Sequence, residues 1–302
     1  MFSSCRTRLG DFLFGGDIDM QSTCTSACSL DQVATVPSTT LYDANATARP
    51  WIESVGGQTN LADGVSVTDA LRCVVPQGVN GCGFESQLES AYLAIARSQS
   101  NAEASYGFTD PSRLLVVVFV TDEADCSYNK NFSTIFEADG NKAFWSDPNA
   151  SFPTSAVCWN AGVTCAGDPS GYSSCEPTDK DVNGGLAGSP DDAVLLPMGR
   201  YMQGYKAAGP VVTFAIAGVG TDGEPFYADV GNTDPSFQNS FGIGPGCTTA
   251  AGNEIIQAVP PVRLRAVLDE LGPEGGQAAY SICSPSLSGG LGGIGVTVAG
   301  ML

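Results

Sequence analysis

The sequence predicts an α/β fold: an open, mostly parallel sheet covered by helices on both faces. Three observations predict it. An unbroken apolar run, Leu114–Val120, and a largely apolar stretch from Val211 to Val219 read as strands buried on both sides. Segments with helical spacing stand before, between and after them, from Phe84, Pro197 and Pro261 onward. The order helix, strand, helix, strand, helix is the rhythm of such a sheet.

Each element is justified by its residues. Residues 1–80 read as irregular and turn-rich, with a loop and a short helix within 56–72. Phe84, Leu88, Ala91, Tyr92 and Ile95 repeat at the spacing of one buried helical face. Glu85 and Glu89 sit near that helix's start, where its dipole favours negative charge. Residues 99–112 form a polar loop. Leu114–Val120 comes next, expected as a central strand, and it stops at the polar turn from Thr121 to Ser127. Residues 127–190 read as a long insertion with little periodicity, in which disulfides among Cys158, Cys165 and Cys175 are expected to replace a core. Pro197 suits the first turn of a helix that lines up Met198, Tyr201, Met202 and Tyr205. Pro210 leads into the second strand. Pro261 opens a third helix, with Leu264, Val267, Leu268 and Leu271 inward and Gly272 as its stop. Residues 286–302 read as a Gly-rich tail.

Composition narrows the function. The 302 residues carry 13 Lys and Arg against 32 Asp and Glu, a net charge of −19, and no histidine. Without histidine there is no Ser-His-Asp or Cys-His pair and no His-ligated zinc. The acidic balance argues against nucleic acid and against an anionic membrane surface as partners. No stretch has the length of a transmembrane segment. Eleven cysteines, at no zinc-ribbon spacing, point to disulfides and so to an extracytoplasmic location: secreted, periplasmic or cell-surface. The first 16 residues hold no signal-peptide apolar run, so a fragment or a mis-started frame is expected.

The sharpest motif lies at the end of the first strand. Ligands of open α/β sheets bind beyond the carboxyl ends of strands, and Asp122, Glu123 and Asp125 fall there within four residues. With Thr121 and Ser127 they make an all-oxygen set suited to Mg²⁺ or Ca²⁺. The same residues also read as a solvated acidic turn. Asp179, Asp181 and Asn183 lead to Gly184 in the pattern of the first half of an EF-hand loop, a possible second calcium site. Its twelfth position is Pro190 rather than Glu, with Asp191 and Asp192 next, and the stretch reads equally as an ordinary turn. Two GxGxxG matches, at Gly218 and Gly290, lack the strand–turn–helix context of nucleotide binding.

Gly81-Cys82-Gly83-Phe84-Glu85 leading into a helix, and then LLVVVFVTDEADCS from Leu114 to Ser127, resemble the von Willebrand factor A-like proteins of myxobacteria and related bacteria. The segments Val157 to Cys175 and Pro261 to Cys283 are similar to that family as well, and the likeness spans roughly residues 50–285. Many of its members are predicted exported lipoproteins. The resemblance implies a Rossmann-like domain over 50–285 with its insertion at about 127–190, preceded by the irregular cysteine-bearing segment 1–49. It also implies a metal-ion-dependent adhesion site at the sheet's carboxyl edge, in which Asp122 matches the strand-TDE element. Thr59, in Gly57-Gln58-Thr59-Asn60, looks like the threonine element. The family's D-x-S-x-S loop has no counterpart. Asp17-Ile18-Asp19-Met20-Gln21-Ser22 does not match it, so the first strand and helix are expected to be missing.

Three functions stand as expectations. The first is an exported, non-enzymatic binding or adhesion module, with a partial Mg²⁺ or Ca²⁺ site at Asp122 and a protein or cell-surface ligand. The second is a secreted hydrolase working through paired carboxylates. The third is a disulfide-stapled envelope protein without metal.

Overall fold

The computed structural model describes residues 35–40, 43–75, 83–251 and 254–302. Most of the segment 1–49, Gly81 and Cys82 of the helix-leading motif, and Asp17–Ser22 lie outside the described residues. The chain divides into two units: residues up to Gly83 with Ala94–Asp110, and Phe84–Leu93 with Pro111–Leu302.

The first unit is built from short pieces. Strands β1 (Pro37–Ser38) and β2 (Thr47–Ala48) pair antiparallel, as do β3 (Ser54–Val55) and β4 (Gln58–Thr59). Buried Arg49 organises the first pair: it donates to the Ser38 and Asn45 carbonyls and to Asp43, at 2.8–3.0 Å. Helix α1 (Val67–Val74) starts at Ser66, whose hydroxyl accepts the Asp69 N–H, and it buries Ala70 and Cys73 against Leu61. Ser66 thus acts as an N-cap, satisfying an otherwise orphaned donor.

The second unit holds a mixed α/β architecture with a three-stranded parallel sheet. Helix α2 (Gln87–Ser98), whose residues up to Leu93 belong to this unit, precedes β5 (Leu115–Val120). An insertion comes next, with a 3₁₀ segment at Lys130–Phe136, helix α3 (Ala156–Gly162) and the antiparallel hairpin β6 (Val163–Asp168) and β7 (Gly171–Pro177). Then come α4 (Met198–Lys206), β8 (Val211–Ala217), α5 (Pro235–Phe241), and the hairpin β9 (Cys247–Ala251) and β10 (Glu254–Ala258). Helix α6 (Val262–Leu271), β11 (Ala279–Ser281) and helix α7 (Ser288–Met301) complete it. The sheet order is β11–β8–β5, with Leu115 opposite Val211 and Ala279 opposite Ala215.

Strand alternation sends β8 side chains to two faces. Val212, Phe214 and Ile216 pack on Ile294 of α7, while Thr213 reaches the Val267 carbonyl of α6. The sheet is therefore flanked by helices, with β8 at its centre and almost wholly buried.

Two expectations are corrected. The run Leu114–Val120 forms an edge strand among the described residues, with Val118 and Val120 exposed at 38% and 56%. An apolar run announces a strand and two apolar faces, but its place in the sheet depends on which strands pair with it. The insertion has a core of its own. Ile135, Phe144, Trp145, Val157, Val194 and Leu195 cluster there, and the Trp145 indole donates to the Ile135 carbonyl at 2.7 Å. The Gly-rich tail contains a helix. Six glycines disfavour it by about 1 kcal/mol each relative to alanine, but two of them let the backbone lie on Tyr280. A Cβ on Gly290 or Gly293 would come within 3.0 or 2.6 Å of that side chain.

Three disulfides join described residues, Cys126–Cys158, Cys165–Cys175 and Cys247–Cys283. Only one lies within the predicted trio. Cys158 instead ties α3 to the turn after β5, across 32 residues of sequence. Such bonds are the chemistry of an oxidising compartment. No helix among the described residues is long and apolar enough to cross a membrane.

Closing a loop of that length is worth about 3–4 kcal/mol on the loop-entropy account. The double variant Cys126→Ala/Cys158→Ala is therefore expected to lose stability of that order in urea denaturation, with the midpoint falling accordingly.

Candidate functional site

The carboxyl end of β5 meets the start of α2. The turn after the strand caps the helix from a distance: Asp125 Oδ1 accepts the Leu88 N–H at 3.0 Å, and Ser127 Oγ accepts the Glu89 N–H at 2.9 Å. These are donors that a helix start leaves unsatisfied. Backbone bonds close the seam, with the Cys126 N–H donating to the Glu85 carbonyl at 2.6 Å. Ser86 Oγ also donates to the Cys126 carbonyl at 2.8 Å.

Asp125 is spent on this architecture. Its Oδ2 accepts from Arg263 Nε at 3.0 Å and its Oδ1 from Ser127 Oγ at 2.7 Å, and both members of the ion pair are buried. Arg263 Nη2 also donates to the Leu196 carbonyl at 2.7 Å. The pair thus gathers the β5 turn, α2, the approach to α4 and the start of α6. Asp125 and Ser127, expected among the metal ligands, face inward with their oxygens engaged.

Thr121, Glu123 and Asp122 form the outer part. Thr121 Oγ donates to Glu85 Oε2 at 2.7 Å and accepts from Gln87 Nε2 at 2.6 Å and from the Glu123 N–H at 3.1 Å. Gln87 Nε2 also donates to Glu85 Oε2 at 2.8 Å. Glu123 is half-buried and accepts from Ser155 Oγ at 2.9 Å. Burial raises its carboxyl to about 7; the Ser155 bond opposes this, and the charges of Glu85 and Asp122 add to it. Asp122 is exposed. Its carbonyl accepts the Val259 N–H at 2.7 Å, which fixes the backbone, while no hydrogen bond or ion pair among the described residues engages its carboxylate.

The other predicted ligands belong to other elements. Thr59 is an exposed residue of β4 in the first unit, where its Oγ accepts the Leu61 N–H at 3.4 Å. Asp181 Oδ1 accepts the Asn183 and Gly185 N–H groups at 2.8 and 3.0 Å, closing its own turn. Asn183 is exposed, and Asp179 is half-buried with its carboxyl raised by burial against the pull of Arg263. Among the described residues no three Asp, Glu or Cys side chains are grouped to hold a metal ion. The exposed Asp122 carboxylate suits a largely hydrated ion, since Mg²⁺ keeps several waters and uses one or two carboxylates.

Sequence reasoning missed Glu85, Gln87, Ser155 and Arg263. Glu85 carried a signal, as an acid at a helix start, but nothing paired it with Thr121. Comparison with protein-family models, curated proteins and solved structures returns no match for this chain.

This geometry makes two predictions. Removing one member of a buried ion pair leaves the other charged and unpaired. Arg263→Met is expected to cost about 3–5 kcal/mol in denaturant titration, and Asp125→Asn/Arg263→Met together less than the sum of the singles. Glu123 binds its proton more tightly folded than unfolded, so this group's stabilisation is complete below pH 4.5 and is lost as pH rises to about 7. Thermal melts of Glu123→Gln are expected to show a shallower decline across that window than the wild type.

Proposed function

We propose that the chain is a non-enzymatic, extracytoplasmic binding module of the von Willebrand factor A-like kind that its motifs resemble, engaging a protein or cell-surface ligand at the carboxyl rim of its parallel sheet. One observation carries this reading. Asp122 stands just past β5 with its backbone pinned and its carboxylate unengaged, in the place where open α/β sheets take ligands. The disulfides support the compartment, and the immobilised turn supports recognition, because a preorganised group loses little freedom on binding. A hydrated Mg²⁺ or Ca²⁺ on Asp122 would offer its open positions to an oxygen of the partner.

A second reading, the carboxylate-dependent hydrolase, is favoured by Glu123 and Glu85. One acid is poised to hold a proton near neutral pH and the other carboxylate is fixed by Thr121 and Gln87. Polysaccharide and ester hydrolysis lost in Glu123→Gln would favour it over the first.

Calorimetric titration with Ca²⁺ and Mg²⁺ tests the main reading. Binding is expected in the wild type and in Asp181→Asn, and is lost in Asp122→Ala. Unchanged binding in Asp122→Ala would remove the rim from the function.

A further inference from the structure

Away from the rim, a cavity of about 350 Å³ opens between β7, residues 224–227 and α6. Its size lies within the range of small-ligand sites. None of the rim residues lines it. Tyr172, Phe226 and Tyr227 contribute aromatic walls and Glu176 a carboxylate. The walls are stapled together. The Cys165–Cys175 disulfide crosses the hairpin, the Tyr172 N–H donates to the Tyr227 carbonyl at 2.9 Å, and the Tyr172 hydroxyl donates to Asp229 at 3.0 Å.

The polar chemistry of the cavity is one-sided. Its cation, Arg265, is consumed: Nε donates to Asp269 at 2.8 Å, Nη1 to the Gly223 carbonyl at 3.0 Å and Nη2 to Glu224 at 3.1 Å. The Tyr172 hydroxyl is spent on Asp229 and the Ser173 hydroxyl on the Ala166 carbonyl. Glu176 is exposed, and no hydrogen bond or ion pair among the described residues engages its carboxylate. Phe226 is 58% exposed. The cavity is thus rich in acceptors and π faces, with hydroxyls such as that of Ser174 as the side-chain donors left unengaged among the described residues, which selects a ligand that brings donors and positive charge. A neighbouring cavity of about 600 Å³ shares Glu224, Arg265 and Asp269 and adds Asp222, Glu270 and Glu274.

We infer that this aromatic-walled cavity binds an alkylammonium group, with Glu176 facing the charge and Phe226 covering the alkyl stem. The group comes from either a lysine side chain or a free polyamine, whose second ammonium would occupy the neighbouring acidic cavity.

Calorimetry and NMR titration on the full chain test this with three probes. These are Nα-acetyl-lysine N-methylamide, spermidine and the uncharged Nα-acetyl-norleucine N-methylamide. Both ammonium probes are expected to bind, more weakly as salt rises, and the neutral probe is not. Spermidine binding at least tenfold tighter than the lysine derivative identifies the polyamine as the source, and equal binding identifies the lysine side chain. Glu176→Gln and Phe226→Ala, both at exposed positions, are each expected to weaken binding about threefold to tenfold. Asp139→Asn, which removes one exposed negative charge outside the cavity, is expected to leave it unchanged. The inference is overturned by equal binding of the neutral probe, by no ammonium binding at roughly 10 mM, by wild-type affinity in both cavity variants, or by an Asp139→Asn effect as large as that of Glu176→Gln.

Discussion

The buried pair of Asp125 and Arg263 is the constraint on which the second unit depends. A carboxylate and a guanidinium out of water are costly unless each finds further partners. Here they do. Asp125 takes the Leu88 N–H and the Ser127 hydroxyl, and Arg263 takes the Leu196 carbonyl. Strand end, helix start and two later segments are thereby fixed by one charge pair, 138 residues apart in sequence. The exposed Asp122 inherits that order without contributing to it, since its backbone belongs to the same turn.

The rim then divides its acids by environment. Asp125 is paired with Arg263 and inward. Glu123 is half-buried and inclined to keep a proton. Asp122 is solvated and outward. Three carboxylates within four residues would repel one another if they shared one set of surroundings. Their separation into a structural, a proton-holding and an exposed group removes most of that conflict. It also explains why a compact metal cage is not present among the described residues, although the local sequence offers so many oxygens.

Much of the fold was legible in the sequence, and the reasons are physical. The apolar runs at 114–120 and 211–219 announce strands because each is short, rich in β-branched residues and bounded by turn residues. The helices at Leu88, Tyr201 and Leu264 were announced by periodicity. The rank of β5 in the sheet was not legible, because pairing partners leave no mark on a strand's own residues. The core of the insertion was hidden because its members, from Ile135 to Leu195, are scattered at no regular interval. The site was half legible. Position after a strand singled out the turn from Thr121 to Ser127, but Asp122 and Asp125 look alike in sequence, and only a distant arginine tells them apart. Glu85 joins Thr121 through tertiary folding alone.

In helix α7 a neighbour, rather than intrinsic preference, shapes the segment. Its glycines lower its own helicity, yet two of them, Gly290 and Gly293, form the groove in which the Tyr280 ring rests. The ring is therefore a latch and the helix the leaf it holds shut. If the latch slips, the fourteen residues of the element lose the support that keeps them coiled. They would peel from Val212, Phe214 and Ile216 as a unit, baring one side of the central strand while the opposite side stayed sealed.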